Sequence, residues 1–541
     1  MDCTAPGHFR SIRIVESGAD GVACAVWYRA SESEDARVLW SARHSTDFCR
    51  SKADELIAKL TNSGFSCAAA ADSPSAQPAR AAVRPEPSTQ SAAPAAPQFG
   101  AAPASRNVEA EPVRAPRAPQ GAQTPQQRRQ AAATPRRPAA REAETGIESQ
   151  PVPADSENSV IDAIKHGKPI LDVRYRLESK KQQGFGERAT ASTIRTRFGY
   201  ETAEIFDFKL LFEFENVAAI GADRFNSTTN GRAAFPVIAD PDATEINRAQ
   251  ITYSGIEKTP ITIGRQRFNL NNHRFVGAVD FRQNQQTFDA LRLSSTFVDN
   301  LSVDYLYISR VHRIFGDDHP AGEFDSDSHI ISASYNAGEF GVIKAYGVLL
   351  DLMEAPALSS ASWGVRYENA LELHENSKAR LALVGEFAAQ RDYASNPFDY
   401  DENYFHGEAT LAFAPFSATV GYEGLGGNGA IGFSTPLATL HKFQGFADVF
   451  LATPATGVED IYGTIRYAWS DAPLVAGATL YATYHDFESG QGNADFGEEV
   501  DAGLTIKLDK HWSADLKGAV YNGSGVFADR SLIWAALRFQ Y

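Results

Sequence analysis

Arginines in two matched pairs dominate the reactive chemistry of this chain. Arg174 and Arg176 stand two apart, as do Arg195 and Arg197, and two glutamates at the same interval follow, Glu213 and Glu215. A guanidinium offers a planar fork of N–H donors that grips a carboxylate through two parallel hydrogen bonds. Four such forks can hold a row of carboxylates on a passing solute. They can equally lace against Glu213 and Glu215 as a salt-bridge lattice. Lys209, Arg248, Arg292, Arg366 and Arg466 fall on the same parity further along and extend the candidate path. Catalytic constellations are not evident. His406 and Glu408 share a face, but no serine is placed to complete a triad, and the 12 histidines show no metal-ligand spacing. The expectation is a non-enzymatic protein without a cofactor. Outer-loop calcium is a minor alternative at the acidic run Asp317, Asp318, Glu323, Asp325 and Asp327.

An interval of two is the period of a β-strand, so the elements that carry these side chains are legible. Leu171, Val173, Tyr175 and Leu177 alternate with Asp172, Arg174, Arg176 and Glu178. Ile194, Thr196, Phe198 and Tyr200 do the same around Arg195 and Arg197, and Phe208, Leu210, Phe212 and Phe214 around Lys209, Glu213 and Glu215. Each strand therefore has one apolar and one charged face. No apolar run approaches the ~20 residues of a membrane helix, so any span must be a closed barrel. Alternation hides the apolarity of such strands, and a mean hydropathy of -0.30 is compatible with one.

Loop lengths set the strand count. Long connections such as 216–243, 269–286 and 311–327 follow odd strands, and short turns such as 255–258, 336–339 and Pro415 fall between them. Counting His441–Leu451 as a strand gives an odd total and breaks this alternation. Leu440, Phe443, Phe446 and Val449 recur there at helical spacing, so one long loop is expected from about 425 to 457. The remainder gives an 18-stranded antiparallel transmembrane β-barrel, mainly β, with outer loops alternating with short periplasmic turns. The chain ends Ile533, Ala535, Leu537, Phe539, Tyr541, an alternating strand suited to closing onto the first.

Three regions are expected: a small α+β module over 1–67, a linker over 68–158, and the barrel over 159–541. Runs near Phe9–Val15, Val22–Tyr28 and Arg37–Trp40 read as strands, and Ser45 caps a helix to about Thr61. Cys3, Cys24, Cys49 and Cys67 all fall in this module. They read as two disulfides in an oxidising compartment, with connectivity open and a zinc site as the rival. The linker holds 15 of the 27 prolines, and from Ser73 to Arg141 ten Arg face three Glu. It cannot bury a core, and its charge suits an anionic partner such as peptidoglycan or lipid. Nothing aromatic is interleaved to stack bases, so nucleic acid is not expected. Asn158–His166 reads as a short amphipathic helix before the first strand. Residues 1–20 carry no visible signal peptide.

The runs Arg174-Tyr175-Arg176-Leu177-Glu178 and Thr193-Ile194-Arg195-Thr196-Arg197-Phe198-Gly199-Tyr200 resemble the opening strands of the alginate-export family of outer-membrane barrels. Gly264–Arg267, Arg274–Gly277, Arg282–Ala290 and Thr435–Phe446 extend the resemblance, which covers roughly 160–541 and stops short of the cysteine module and linker. It implies an eighteen-stranded barrel in the outer membrane of a Gram-negative bacterium, with an arginine-rich conduit for a polyuronate. Charge along the chain tempers that cargo. Residues 171–292 hold 17 Lys and Arg against 15 Asp and Glu, whereas 293–541 hold 14 against 33, so one wall is near neutral with dense arginines and the rest is acidic. The reading is a porin or exporter with a water-filled lumen, passing carboxylated saccharides or other anionic solutes, its N-terminal module in the periplasm. A general or nutrient-uptake porin is the first alternative. An envelope tether to peptidoglycan is the second, since ~85 extended residues at ~3.1 Å each span ~260 Å.

Overall fold

A computed structural model describes residues 160–541 except 374–378 and 473–474. In the N-terminal region it describes residues 2–5, 8–16, 24–29, 37–42, 49–50, 53, 57, 61 and 65–68. The expected linker lies outside the described residues. The chain divides into two compact units, 1–95 and 96–541.

In the first unit five strands form one antiparallel sheet: β1 (Asp2–Ala5), β2 (His8–Glu16), β3 (Cys24–Arg29), β4 (Arg37–Ala42) and β5 (Ser66–Ala68), in the order β4-β3-β2-β1-β5. Residues 49, 50, 53, 57 and 61 are helical. Cys49 is fully buried with Ala53 against Ile12 and Val26, and both Cys49 and Cys67 are disulfide-bonded. The side chains of Cys3 and Cys24 lie outside the described residues.

The second unit begins with helix α1 (Val160–Lys165) and continues as eighteen strands. These are β6 (Lys168–Gln182), β7 (Ala189–Glu201), β8 (Phe208–Arg224), β9 (Ala243–Tyr253), β10 (Ile261–Gln266) and β11 (Thr287–Ser295). Next come β12 (Leu301–His312), β13 (Glu323–Asn336), β14 (Val342–Leu350), β15 (Ser360–Glu372), β16 (Ala379–Asp392) and β17 (Asp401–Phe413). The last six are β18 (Phe416–Leu425), β19 (Val458–Ala472), β20 (Val475–Glu488), β21 (Asp495–Lys507), β22 (Trp512–Asn522) and β23 (Arg530–Gln540). Every neighbour pairs antiparallel, and β23 closes onto β6 in the register Arg538↔Arg174 and Trp534↔Glu178. The barrel has eighteen strands and no open edge, which satisfies every strand's backbone within a membrane.

Side-chain parity is as the alternation requires on the outside. Tyr175, Leu177, Phe198, Phe212, Ile465 and Ile533 are all exposed, while Asp172, Arg174, Arg176 and Glu178 are buried. An apolar belt of this kind is an outer-membrane barrel's lipid face. The loop alternation also holds: 426–457 is one long connection with a single short 3-10 turn at Leu440–Lys442, and its counterparts 414–415 and 508–511 are tight turns.

Two expectations need correction. Strands reach further than the sequence suggests, because backbone pairing with the neighbouring strand continues beyond the clear alternation, to Thr190↔Arg224 and His312↔Glu323. β8 continues to Arg224, so its loop is 225–242, and β13 starts at Glu323, so its loop is 313–322. Glu323, Asp325 and Asp327 are therefore strand residues: Arg310 pairs Asp325 at 2.7 Å and His312 pairs Glu323 at 2.7 Å. The second correction concerns the interior. Towards the long-loop end the inward face turns apolar, and Phe288, Ile308, Ile330, Val348, Tyr404, Leu425, Phe487 and Trp534 pack with loop residues into a continuous core inside the barrel.

Candidate functional site

The charged wall forms where β6, β7 and β8 stand beside the closing strand. Asp172 accepts from Arg195 at 2.6 Å and takes a bidentate grip from Arg538 at 3.0 and 2.6 Å, which joins the first and last strands. Arg197 pairs with Glu215, and Arg176 with Glu178 at 2.5 Å. Glu213 is held bidentately by Arg248 at 3.0 and 2.7 Å. Further round, Arg366 bridges Glu368 and Glu386, each at 2.6 Å, and Arg292 grips Asp304 at 2.6 Å. Lys209 reaches Glu201 at 3.5 Å, and Arg466 lies half-buried beside Ser417 and Tyr481 on the flanking strands. Most of the expected lumen cations are thus engaged by a neighbouring carboxylate.

Arg174 bonds instead to groups of an inserted loop, and these partners show what fills the barrel. β10 is only six residues long; beyond it the chain leaves the wall, and loop 267–286 turns into the lumen. Arg174 donates to the Gln283 side chain at 2.9 Å, to the Asp280 carbonyl at 2.8 Å and to the Arg282 carbonyl. Arg176 donates to the Phe281 carbonyl at 2.7 Å, its guanidinium 3.7 Å from the centre of that ring. Arg282 in turn reaches Glu178 at 3.1 Å, and the Gln285 amide donates to Glu215 at 3.0 Å. Residues 282–286 are almost wholly buried despite being polar throughout, and each side chain has at least one hydrogen-bond partner.

Loop 426–457 packs beside it. Gly277 donates to the Leu437 carbonyl at 2.9 Å, and Gln286 to the same carbonyl at 2.9 Å. Phe281 stacks on His441, with ring centres 4.1 Å apart. The tip is pinned to β21 and β23, next to the arginine strands: the amides of Phe446 and Ala447 donate to Asp501 at 3.1 Å and Glu499 at 2.6 Å, and Arg530 donates to the Asp448 carbonyl at 2.6 Å. Gly445 turns the chain there at φ +79°, and a Cβ on it would sit 2.5 Å from the Glu499 carboxyl. Only glycine fits both constraints.

One carboxylate marks the border between this packed half and the charged half. Asp280 lies at the loop's lower tip, its side chain about half exposed at 48%, paired to Arg267 at 2.5 Å and bonded by Gln285. Surrounding protein opposes its charge, but Arg267, Arg197, Arg195 and Arg174 outweigh that and hold the carboxyl below its usual range. Within the same patch, Arg195 Nε and Arg197 Nη2 are buried without a protein acceptor among the described residues. At the seam between the loops, burial and then Lys442 push the His273 imidazole down to about 4. Below Asp280 the inward face is wetter. Lys209, Arg292, Arg538 and Glu368 are each partly exposed, and threonine pairs face one another across the strands, Thr410 with Thr419 at 2.7 Å and Thr464 with Thr483 at 2.9 Å.

Loop residues Asp280, Phe281, Arg274 and Arg267 were not singled out as site residues from sequence. The polar run Arg282–Gln286 was visible, but nothing in its composition distinguished an inserted loop from a solvated one.

Comparisons with known proteins bear on the barrel that carries this wall. Residues 170–308 match the family described as Alginate export. That segment carries β6 to β11, the inserted loop 267–286 and the whole arginine wall. No curated protein matches the chain. Among solved structures, OccAB4 of Acinetobacter baumannii aligns with a TM-score of 0.54 at 14% identity, over 69% of this chain and 98% of that one. OpdK of Pseudomonas aeruginosa, solved with vanillate, aligns with a TM-score of 0.55 at 10% identity, over 70% and 99%. OpdO of Pseudomonas aeruginosa gives 0.54 at 12%, over 70% and 98%. At these identities the likeness establishes the shared fold, an outer-membrane barrel.

Proposed function

We propose that the barrel is an outer-membrane channel for carboxylated solutes, in which the arginine wall of β6 and β7 binds the permeant transiently and the two inserted loops gate it. One observation carries this reading. The Asp280 carboxylate pairs with Arg267 at 2.5 Å and lies in the favourable field of Arg174, Arg195 and Arg197, so the patch suits a carboxylate. A passing carboxylate would exchange with Asp280, and the acids laced through the wall keep binding weak enough for release. Carboxylated saccharides fit the match to the alginate export family. A small aromatic carboxylate is the second reading, supported by the vanillate seen with OpdK. The disulfides of Cys49 and Cys67 support a periplasmic place for the module over 1–67, joined to the barrel by the linker over 68–158.

The test is ion selectivity in planar bilayers under a KCl gradient. The native channel should prefer anions, and Arg174→Gln with Arg195→Gln should reduce that preference while the protein still runs as a heat-modifiable barrel. Uronate oligomers and vanillate, added in turn, should each interrupt the current if they enter. Cation preference in the native channel, unaltered by the substitutions, would overturn the reading.

A further inference from the structure

Helix α1 is too short to be stable alone, and its apolar residues face outward. Val160 and Ile161 are each 63% exposed and Ile164 is 54% exposed, whereas Ala163 on the opposite side is buried. A six-residue helix does not persist in water on its own propensity, so contacts with the barrel must hold it. Those contacts are specific. The Ala203 amide donates to the Ala163 carbonyl at 2.9 Å, and the Tyr200 hydroxyl donates to the Ile164 carbonyl. Gly167 then lets the chain pass over the Tyr200 ring, where a Cβ would come within 2.5 Å of the ring and hydroxyl.

Tyr200 decides which side of the barrel the helix is on. It pairs with Pro169 and belongs to the same strand face as Ile194, Thr196 and Phe198, opposite in parity to Arg195 and Arg197. Phe198 is exposed on that face and stacks on Phe214 at 5.3 Å. Helix α1 therefore rests on the outer surface of the wall, at the short-turn rim, and not in the pore mouth. Its exposed aliphatics continue the apolar belt formed by Phe198, Phe206 and Phe208, and Lys165 and Lys168 flank it.

We propose that helix α1 lies in the headgroup boundary of the adjoining lipid leaflet, with Val160, Ile161 and Ile164 in the acyl region. Continuity with the lipid-facing belt selects lipid as the occupant. An apolar helix face beside lysines is the usual composition of an interfacial segment. The chain thus enters the barrel along the membrane surface, clear of the pore mouth.

The full-length protein, reconstituted in phosphatidylethanolamine–phosphatidylglycerol vesicles, tests this with spin labels on Ile161→Cys, Ile164→Cys and Asp162→Cys. The parent without an added cysteine serves as the labelling control, and heat modifiability checks folding. Labels at 161 and 164 should collide several-fold more with oxygen, relative to an aqueous nickel chelate, than the label at 162. Equal nickel access at all three sites would overturn the proposal by placing the helix in water. Immobilised labels at 161 and 164, shielded from both reagents, would overturn it by showing a protein partner there.

Discussion

Replacing Asp280 with Asn removes the resident anion of the arginine patch while keeping the side chain's size. Five guanidiniums, Arg174, Arg195, Arg197, Arg267 and Arg538, then face two carboxylates, Asp172 and Glu215, in place of three. The main-chain carbonyl of residue 280 still accepts from Arg174, so the loop keeps its seat. The lost pair with Arg267 is about half exposed and its removal costs stability at most about 1 kcal/mol. One extra positive charge at about 7 Å from a permeant anion is worth about 0.6 kcal/mol in water's dielectric and about 2.4 kcal/mol at an effective value of about 20. That range corresponds to about a threefold to sixtyfold gain in anion partitioning. Reversal potentials at 0.1 M KCl should show the chloride-to-potassium permeability ratio rising at least about threefold. The gain should shrink at 1 M, where the screening length falls to about 3 Å. An unchanged ratio, or one that moves towards potassium, would refute the placement of Asp280 in the permeation path.

Gly445→Ala adds a Cβ against Glu499 at a left-handed backbone position, so the 444–448 tip should unseat, and single-channel records should show more frequent large openings. An unaltered record would mean that the tip does not gate. Asp172→Asn removes the negative charge shared by Arg195 and Arg538 and leaves buried guanidinium charge uncompensated, at a cost of about 3–5 kcal/mol. The heat-modifiability midpoint should fall clearly below that of the parent. His273 titrates near its ordinary 6.5 when unseated but at about 4 in the packed loops. Unseating therefore takes up a proton between these values. The seat should weaken as pH falls from about 6.5 towards 4 and be insensitive above 7, with opening frequency the readout and His273→Asn flattening the profile.

Much of the barrel was legible because a lipid face and a charged face impose opposite demands on alternate residues. Leu171 to Glu178 declares both at once. Loop parity was equally physical: a tight turn such as 414–415 leaves no room for error in pairing. The segment around His441–Leu451 shows the same logic, since its apolar spacing of three fits no strand. What stayed hidden was the interior. Ile308 and Ile330 are inward and apolar, and local pattern cannot say that a loop from elsewhere will cover them. Arg174 likewise reads as a lumen cation, yet its donors go to carbonyls more than a hundred residues away. Strand ends such as Arg224 are hidden because the alternation fades over Val217–Ala222 while the backbone ladder to β7 continues.

The packed half and the wet half of the interior give the two mouths different selection rules. If the short turns face the periplasm, as in related barrels, a solute from within the cell envelope meets fixed charge first and the loops second. A solute from outside meets a packed aromatic cap before it reaches the arginine wall. The cap asks about size and shape, the antechamber about charge. Traffic in the two directions is then filtered by different criteria, and a polymer threading outward would be gathered and aligned before it ever tested the gate.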